Sequence, residues 1–225
     1  MHVRPLFCLT LALAIGIGTA VRAEHKLEPV KQAPAGVSKD VAATLGETGQ
    51  KVTGPDGAVA TVWLVKSVEV KPNFKPSLSV KYPFMPGQLI GVIEVAEKSG
   101  MTDFRGQEIP AGTYTLRYGQ QPQDGNHIGT SELADFLLAL PAKGDTSAKP
   151  IAGFDELSEK SAKTAGSTHP AIFSLLPAEK GDKDASVTHD SNTEFVILNV
   201  TVNGKDQDKS VSVPMRVVVV GVSEG

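Results

Sequence analysis

Apolar residues along this chain alternate with polar ones more often than they recur at helical spacing. Val52 leads into Gly54-Pro55-Asp56-Gly57, and Val59 to Val65 (VATVWLV) follows. A β-rich run on each side of a Pro-Asp-Gly turn predicts a hairpin. Leu89 to Val95 (LIGVIEV) is apolar throughout and predicts a central strand. Gly112 to Tyr118 (GTYTLRY) alternates, with Tyr114 and Leu116 facing a core and Thr115 and Arg117 facing away. Phe136 to Leu140, Ala171 to Leu176, Phe195 to Val202 and Val211 to Val220 complete the strand-like runs. Pro214 lacks an amide hydrogen for a ladder, so it predicts an edge or a bulge at that point.

Two stretches carry the helical signal. Ser38 to Leu45 (SKDVAATL) has a capping serine and is followed by Gly46. Asp155 to Ala165 (DELSEKSAKTA) opens on a capping aspartate and stops at Gly166. It places Glu156 and Glu159 four residues before Lys160 and Lys163, the favourable orientation for ion pairs. Its apolar stripe is thin, so a surface position across a loop or sheet edge is expected. Residues 71–87 hold four prolines and read as a surface loop or edge segment.

The runs amount to about eight strands and two short peripheral helices, and the strands do not alternate with helices. That order disfavours a doubly wound parallel sheet. It predicts an all-β fold, an antiparallel β-sandwich, with an open β-barrel as the alternative.

The N-terminus changes the picture of what folds. Arg4 precedes an apolar run from Leu6 to Gly18, and Val21 and Ala23 stand where a signal peptidase reads modest or small side chains. This is the order of a secretory signal peptide over 1–23, and the run is too short for a membrane span. Residues 24–36 mix charge, Pro and Gly without periodicity and predict a disordered leader, with a single β domain over 37–225. Without residues 1–23, 202 of the 225 residues remain, and the only cysteine, Cys8, is gone. That excludes disulfides, thiol nucleophiles and thiolate metal sites. Arg4 and Arg22 leave as well, so 20 basic residues face 25 acidic ones, a formal charge of −5. An acidic balance offers neither nucleic acid nor anionic lipid an electrostatic footing. The expected location is periplasmic or extracellular.

No nucleophile elbow, phosphate loop, zinc-protease helix or dinucleotide fingerprint is present. The densest chemistry lies on the strand ending at Tyr118 and the polar loop from Gly119 to Ser131, which carries Asp124 and His127. Arg117 offers a planar fork for carboxylate or phosphate. Loops of a β-sandwich gather at its ends, so His169 is a further candidate beside Arg117, Asp124 and His127 as ligand-binding residues. His127, His169 and His189 could also assemble a metal site, although their spacing does not specify one.

The run Phe104-Arg105-Gly106-Gln107-Glu108-Ile109-Pro110-Ala111-Gly112-Thr113-Tyr114-Thr115-Leu116 resembles a strand-turn-strand of uncharacterised exported bacterial β-sandwich proteins. The stretch 121–129, the strand at Asp135-Phe136-Leu137-Leu138 and the step His169-Pro170-Ala171 are similar to the same group, so the likeness spans roughly 101–177. It implies a fold and no activity, and it singles out His127 and His169. The expected function is therefore an exported, non-enzymatic binding or interaction module without a cofactor. Its partner is a small polar ligand or an envelope protein. A metal-binding envelope protein using His127 and His169 is one alternative, and a hydrolase whose site is not visible in sequence is another. A glycan ligand requires exposed aromatics, which makes the position of Trp63 decisive.

Overall fold

The structure is a computed structural model that describes residues 24–121, 133–179 and 184–223. In chain order the elements are β1 (Lys26–Val30), α1 (Lys39–Thr44), β2 (Gly49–Gly54), β3 (Gly57–Leu64), β4 (Val68–Glu69), β5 (Leu89–Val95) and β6 (Gly112–Gln120). Then follow β7 (Asp135–Pro141), α2 (Phe154–Ala165), β8 (Ile172–Leu176), β9 (Ser186–Asp190), β10 (Phe195–Asp206) and β11 (Lys209–Val220). The fold is all-β with two short helices, as the hydrophobic pattern predicts.

One hydrogen-bonded path runs β1-β2-β3-β5-β6-β7-β8-β11-β10-β4, and β9 also pairs with β10. Every pairing is antiparallel except β10 with β4. β9 comes up beside β1, so the sheet is nearly closed, in the manner of the barrel alternative.

The expected disordered leader is in part a strand. Lys26–Val30 pairs with Gly49–Thr53 and packs Leu27 and Val30 against the core, an apolar spacing hidden among Lys, Glu and Pro. Pro214 tests the edge rule inside a strand. β11 pairs β8 only at Val217 and Arg216, so at Pro214 its second side carries no ladder, and the missing amide hydrogen costs nothing there.

The principal core fills the inside of the sheet, with Val52, Val62, Val92, Leu116, Leu137, Phe173, Leu198 and Val217 among its members. β7 is apolar on both faces because both are covered. Leu137 and Ala139 join the principal core. Leu138 and Leu140 pack outward with Ile151 and Leu157, and Phe136 with Phe104 and Val218.

Helix α2 lies over the β7 face and not across a sheet edge as its thin stripe suggests. It adds hydroxyls to that stripe. Ser161 Oγ donates within reach of the carbonyls of Ala139 and Ala171 and accepts from Ala171 N, and Thr164 Oγ1 donates to Ala139 O. These groups satisfy backbone atoms just past the paired stretch of β7 and β8 (Phe136–Leu138 against Ile172–Ser174). The helix starts one residue earlier than expected, with Gly153 and not Asp155 at its N-cap, and ends at a left-handed Gly166. No helix among the described residues is long and apolar enough to cross a membrane.

Leu116 and Ile197 are each 1% exposed. Truncating either to alanine removes a buried side chain that close packing cannot replace, with an expected loss of about 2–5 kcal/mol. Urea denaturation measures it; a loss below about 1 kcal/mol contradicts the packing described.

Candidate functional site

Arg117 sits in the middle of β6, opposite Leu138 of β7 and Leu89 of β5. It does not face solvent, as strand alternation predicts, but is fully buried. Its face of the sheet is covered by the chain between β7 and α2. The guanidinium meets Asp145 side-on, Nε to Oδ2 at 2.5 Å and Nη2 to Oδ1 at 2.8 Å. Nη1 donates to the carbonyls of Gly87 (2.8 Å) and Lys149 (2.9 Å), and Nη2 to that of Ser147 (2.5 Å). All five N–H donors of the fork are thereby engaged. Thr115 Oγ1 adds a donor to Asp145 Oδ2. A charge buried this deeply costs several kcal/mol unless it is paired and its remaining donors are satisfied, and both conditions hold here. Arg117 has no N–H left for a ligand, which corrects its reading as a binding residue.

A second buried carboxylate brackets the Gly119–Ser131 loop. Asp135 opens β7, and its Oδ2 accepts from Lys81 N at 2.5 Å. Its Oδ1 accepts a hydrogen bond from the Tyr118 hydroxyl, and Gln120 Nε2 donates to that hydroxyl from the end of β6. Tyr118 stacks edge-on with Phe84, which lies parallel to Tyr82. The Tyr82 hydroxyl donates to Leu176 O (2.6 Å) and accepts from Arg216 N (3.2 Å). Burial pushes Tyr82 up to about 12 and holds Tyr118 higher still, the Asp135 carboxylate adding to the effect. Burial also raises Asp135, against the lowering effect of Tyr118 and the amides of Lys81 and Tyr82.

The two loops near this pair are stitched together. Ala134 N donates to Ser79 O at 2.9 Å, and Gln121 N donates to Ala134 O at 2.8 Å. The chain at Gln121 and Ala134, where β6 ends and β7 begins, thus rests on the proline-rich segment 71–87. A third carboxylate, Asp103, does similar work in the FRGQE turn. It accepts from Arg105 N, Gln107 N and Gln107 Nε2 and reaches Ile172 N on β8.

Of the candidate ligands, Asp124 and His127 lie outside the described residues. His169 is exposed, in a turn where Ser167 Oγ bonds both its amide and its carbonyl. His189 lies on β9, with Nε2 at 3.2 Å from Glu194 Oε2. Among the described residues no group of three or more His, Asp or Glu is arranged to hold a metal ion. Trp63 is buried and donates to Gln32 O, and Tyr82, Tyr114 and Tyr118 are buried too. No stacking platform for a sugar is formed by these rings.

Reasoning from sequence missed Asp103, Asp135 and Asp145. Asp135 carried one usable signal, a lone carboxylate set directly against the apolar run FLLAL. In comparisons with known proteins, no family model, no curated protein and no solved structure matched the chain.

The raised Asp135 gives a pH test. Its folded form holds the proton to higher pH than the unfolded chain does, so its contribution to stability is full below the ordinary carboxylate value. That contribution is lost as pH rises through the folded value. Asp135→Asn keeps an acceptor and removes the titration. Urea melts across this range are expected to show the native protein losing stability with rising pH more steeply than the variant. Parallel profiles refute the assignment.

Proposed function

We propose that this chain is an exported, non-enzymatic interaction module, in which a rigid, nearly closed sheet displays the 71–87 segment and the adjoining ends of β6 and β7 as one composite surface. The observation that carries this reading is the seam between the two segments, where Asp135, Tyr118, Lys81 N, Ser79 O, Ala134 and Gln121 are joined in one hydrogen-bonded unit. Binding residues are commonly held on loops fixed to a rigid scaffold. Here the polar interior does the fixing, because Arg117, Asp103, Asp135 and Asp145 each hold backbone of a connecting segment or the side chain that does so. The export half rests on the residues 1–23, with Arg4, the apolar run and the small-residue step at Val21 and Ala23. With Trp63 and the tyrosines buried, the glycan version of the ligand loses its aromatic contact, and the reading favours a small polar ligand or an envelope protein.

The test has two arms. The intact mass of material recovered from outside the cytoplasm is expected to start at Glu24; retention of residues 1–23 contradicts export. A thermal-shift panel of zinc chloride, inorganic phosphate, citrate and glutamate is run on the protein and on His127→Ala. A small-ligand module raises its melting temperature with one member and loses the rise in the variant. A flat panel leaves a macromolecular partner. Hydrolysis of p-nitrophenyl acetate or phosphate that disappears in His127→Ala contradicts a non-enzymatic role and favours the hydrolase alternative.

A further inference from the structure

We infer that the 71–87 segment is a docking tip for an anionic lipid surface, with Leu78 as its apolar anchor. This rests on the interaction-module reading and goes beyond it, giving the 71–87 segment a lipid partner besides the polar ligand or envelope protein of that reading.

The tip is built to project. Ser77 N donates to Val80 O (2.8 Å) and Val80 N to Ser77 Oγ (3.0 Å), closing a turn over Leu78 and Ser79. Leu78 at its apex is 94% exposed, the most exposed large apolar side chain described. The arms below it are fixed. Lys71 N donates to Pro83 O, Lys81 N to Asp135, and the rings of Tyr82 and Phe84 are buried. Pro72, Pro76, Pro83 and Pro86 restrict the backbone further. A leucine held out by a fastened turn cannot be explained by local collapse, and ordering it at a surface costs little extra entropy.

The charge around it is segregated. Between Val70 and Ile93 the chain has Lys71, Lys75 and Lys81 and no Asp or Glu, although the whole chain is acidic. Lys75 is exposed, and Lys81 Nζ donates to Ser77 O at 2.8 Å, which places that ammonium at the tip itself. The overall negative balance hides this local excess. An aliphatic point with the Lys81 ammonium at its turn and two further lysines on the same segment matches acyl chain beneath anionic headgroups. A convex point offers a protein partner little area, whereas a stable protein interface buries on the order of 1,000 Å² or more. A bilayer deforms around a point and needs no groove.

Each lysine near an anionic surface strengthens attachment about fivefold, so three contribute on the order of a hundredfold, screened by salt. The result is a weak, reversible attachment.

The experiment uses protein beginning at Glu24, because the apolar run Leu6 to Gly18 would itself enter lipid. Every element and buried cluster described lies after residue 23. Sedimentation is measured with vesicles of phosphatidylcholine alone and of phosphatidylcholine and phosphatidylglycerol in equal parts. The expected result is binding to the mixed vesicles only, weakened by salt. Leu78→Asp is expected to lower it at least about tenfold, and the joint change Lys71→Gln, Lys75→Gln and Lys81→Gln about a hundredfold, with unaltered melting temperatures. Absence of binding, equal binding to both vesicles, or binding indifferent to these changes overturns the inference. Lysine-dependent retention on immobilised polyglutamate without vesicle binding also overturns it, in favour of an acidic protein partner, and leaves the interaction-module reading standing.

Discussion

The fold is organised around one buried cation. A guanidinium in the interior must find an acceptor for each of its five donors, and no single loop can supply them all. Arg117 therefore draws two parts of the chain to one point: the covering segment, with the carboxylate of Asp145 and the carbonyls of Ser147 and Lys149, and the end of the proline-rich segment, with the carbonyl of Gly87. Gly87 is forced at its position, with φ at 83° and room for no Cβ, since one would lie 1.9 Å from Ile151 O. The chain between β7 and α2 is held from its other side by Ser38 and Asp40 at the start of α1, which bond Thr146 O and Ala148 N. An irregular segment thus becomes a fixed cover on the outer face of β6.

The same logic recurs at lower charge. Asp135 and Tyr118 fasten the end of the proline-rich segment beside the ends of β6 and β7, and Asp103 ties a turn to β8. In each case a carboxylate accepts backbone amides that have no ladder partner, which a buried loop requires. The rigidity of 71–87 at its base and the exposure of Leu78 at its apex are two consequences of one arrangement. The fastened lower half is what holds the upper half away from the protein.

Much of the fold was legible because it is written in period and punctuation. The Gly54–Gly57 hairpin, the central position of Leu89–Val95, the cap at Ser38 and the stop at Gly166 all follow from local chemistry. Tyr114 and Leu116, expected to face the core, are buried, as are Ile93, Phe136, Leu138, Phe173 and Ile197 in the strand-like runs. Alternation failed at Thr115 and Arg117 because it assumes one wet face, and the cover on that face comes from residues about 30 positions away. β1 was missed because pairing with β2, not its own composition, makes it a strand. The candidate site was legible only as a list of residue types. Arg117 was chosen for its fork, and the fork is real but occupied, by acceptors that are mostly backbone carbonyls and carry no sequence signature.

The Arg117–Asp145 pair fixes the covering loop, and amide hydrogen exchange reads that fixation residue by residue. In Asp145→Asn the carboxylate charge is lost at nearly constant shape. Faster exchange is expected at Ala148, Lys149 and Ile151 and around Gly87, with the long β10–β11 hairpin still protected. Unchanged exchange in the covering loop, or a uniform rise across the whole molecule, would contradict that fixation.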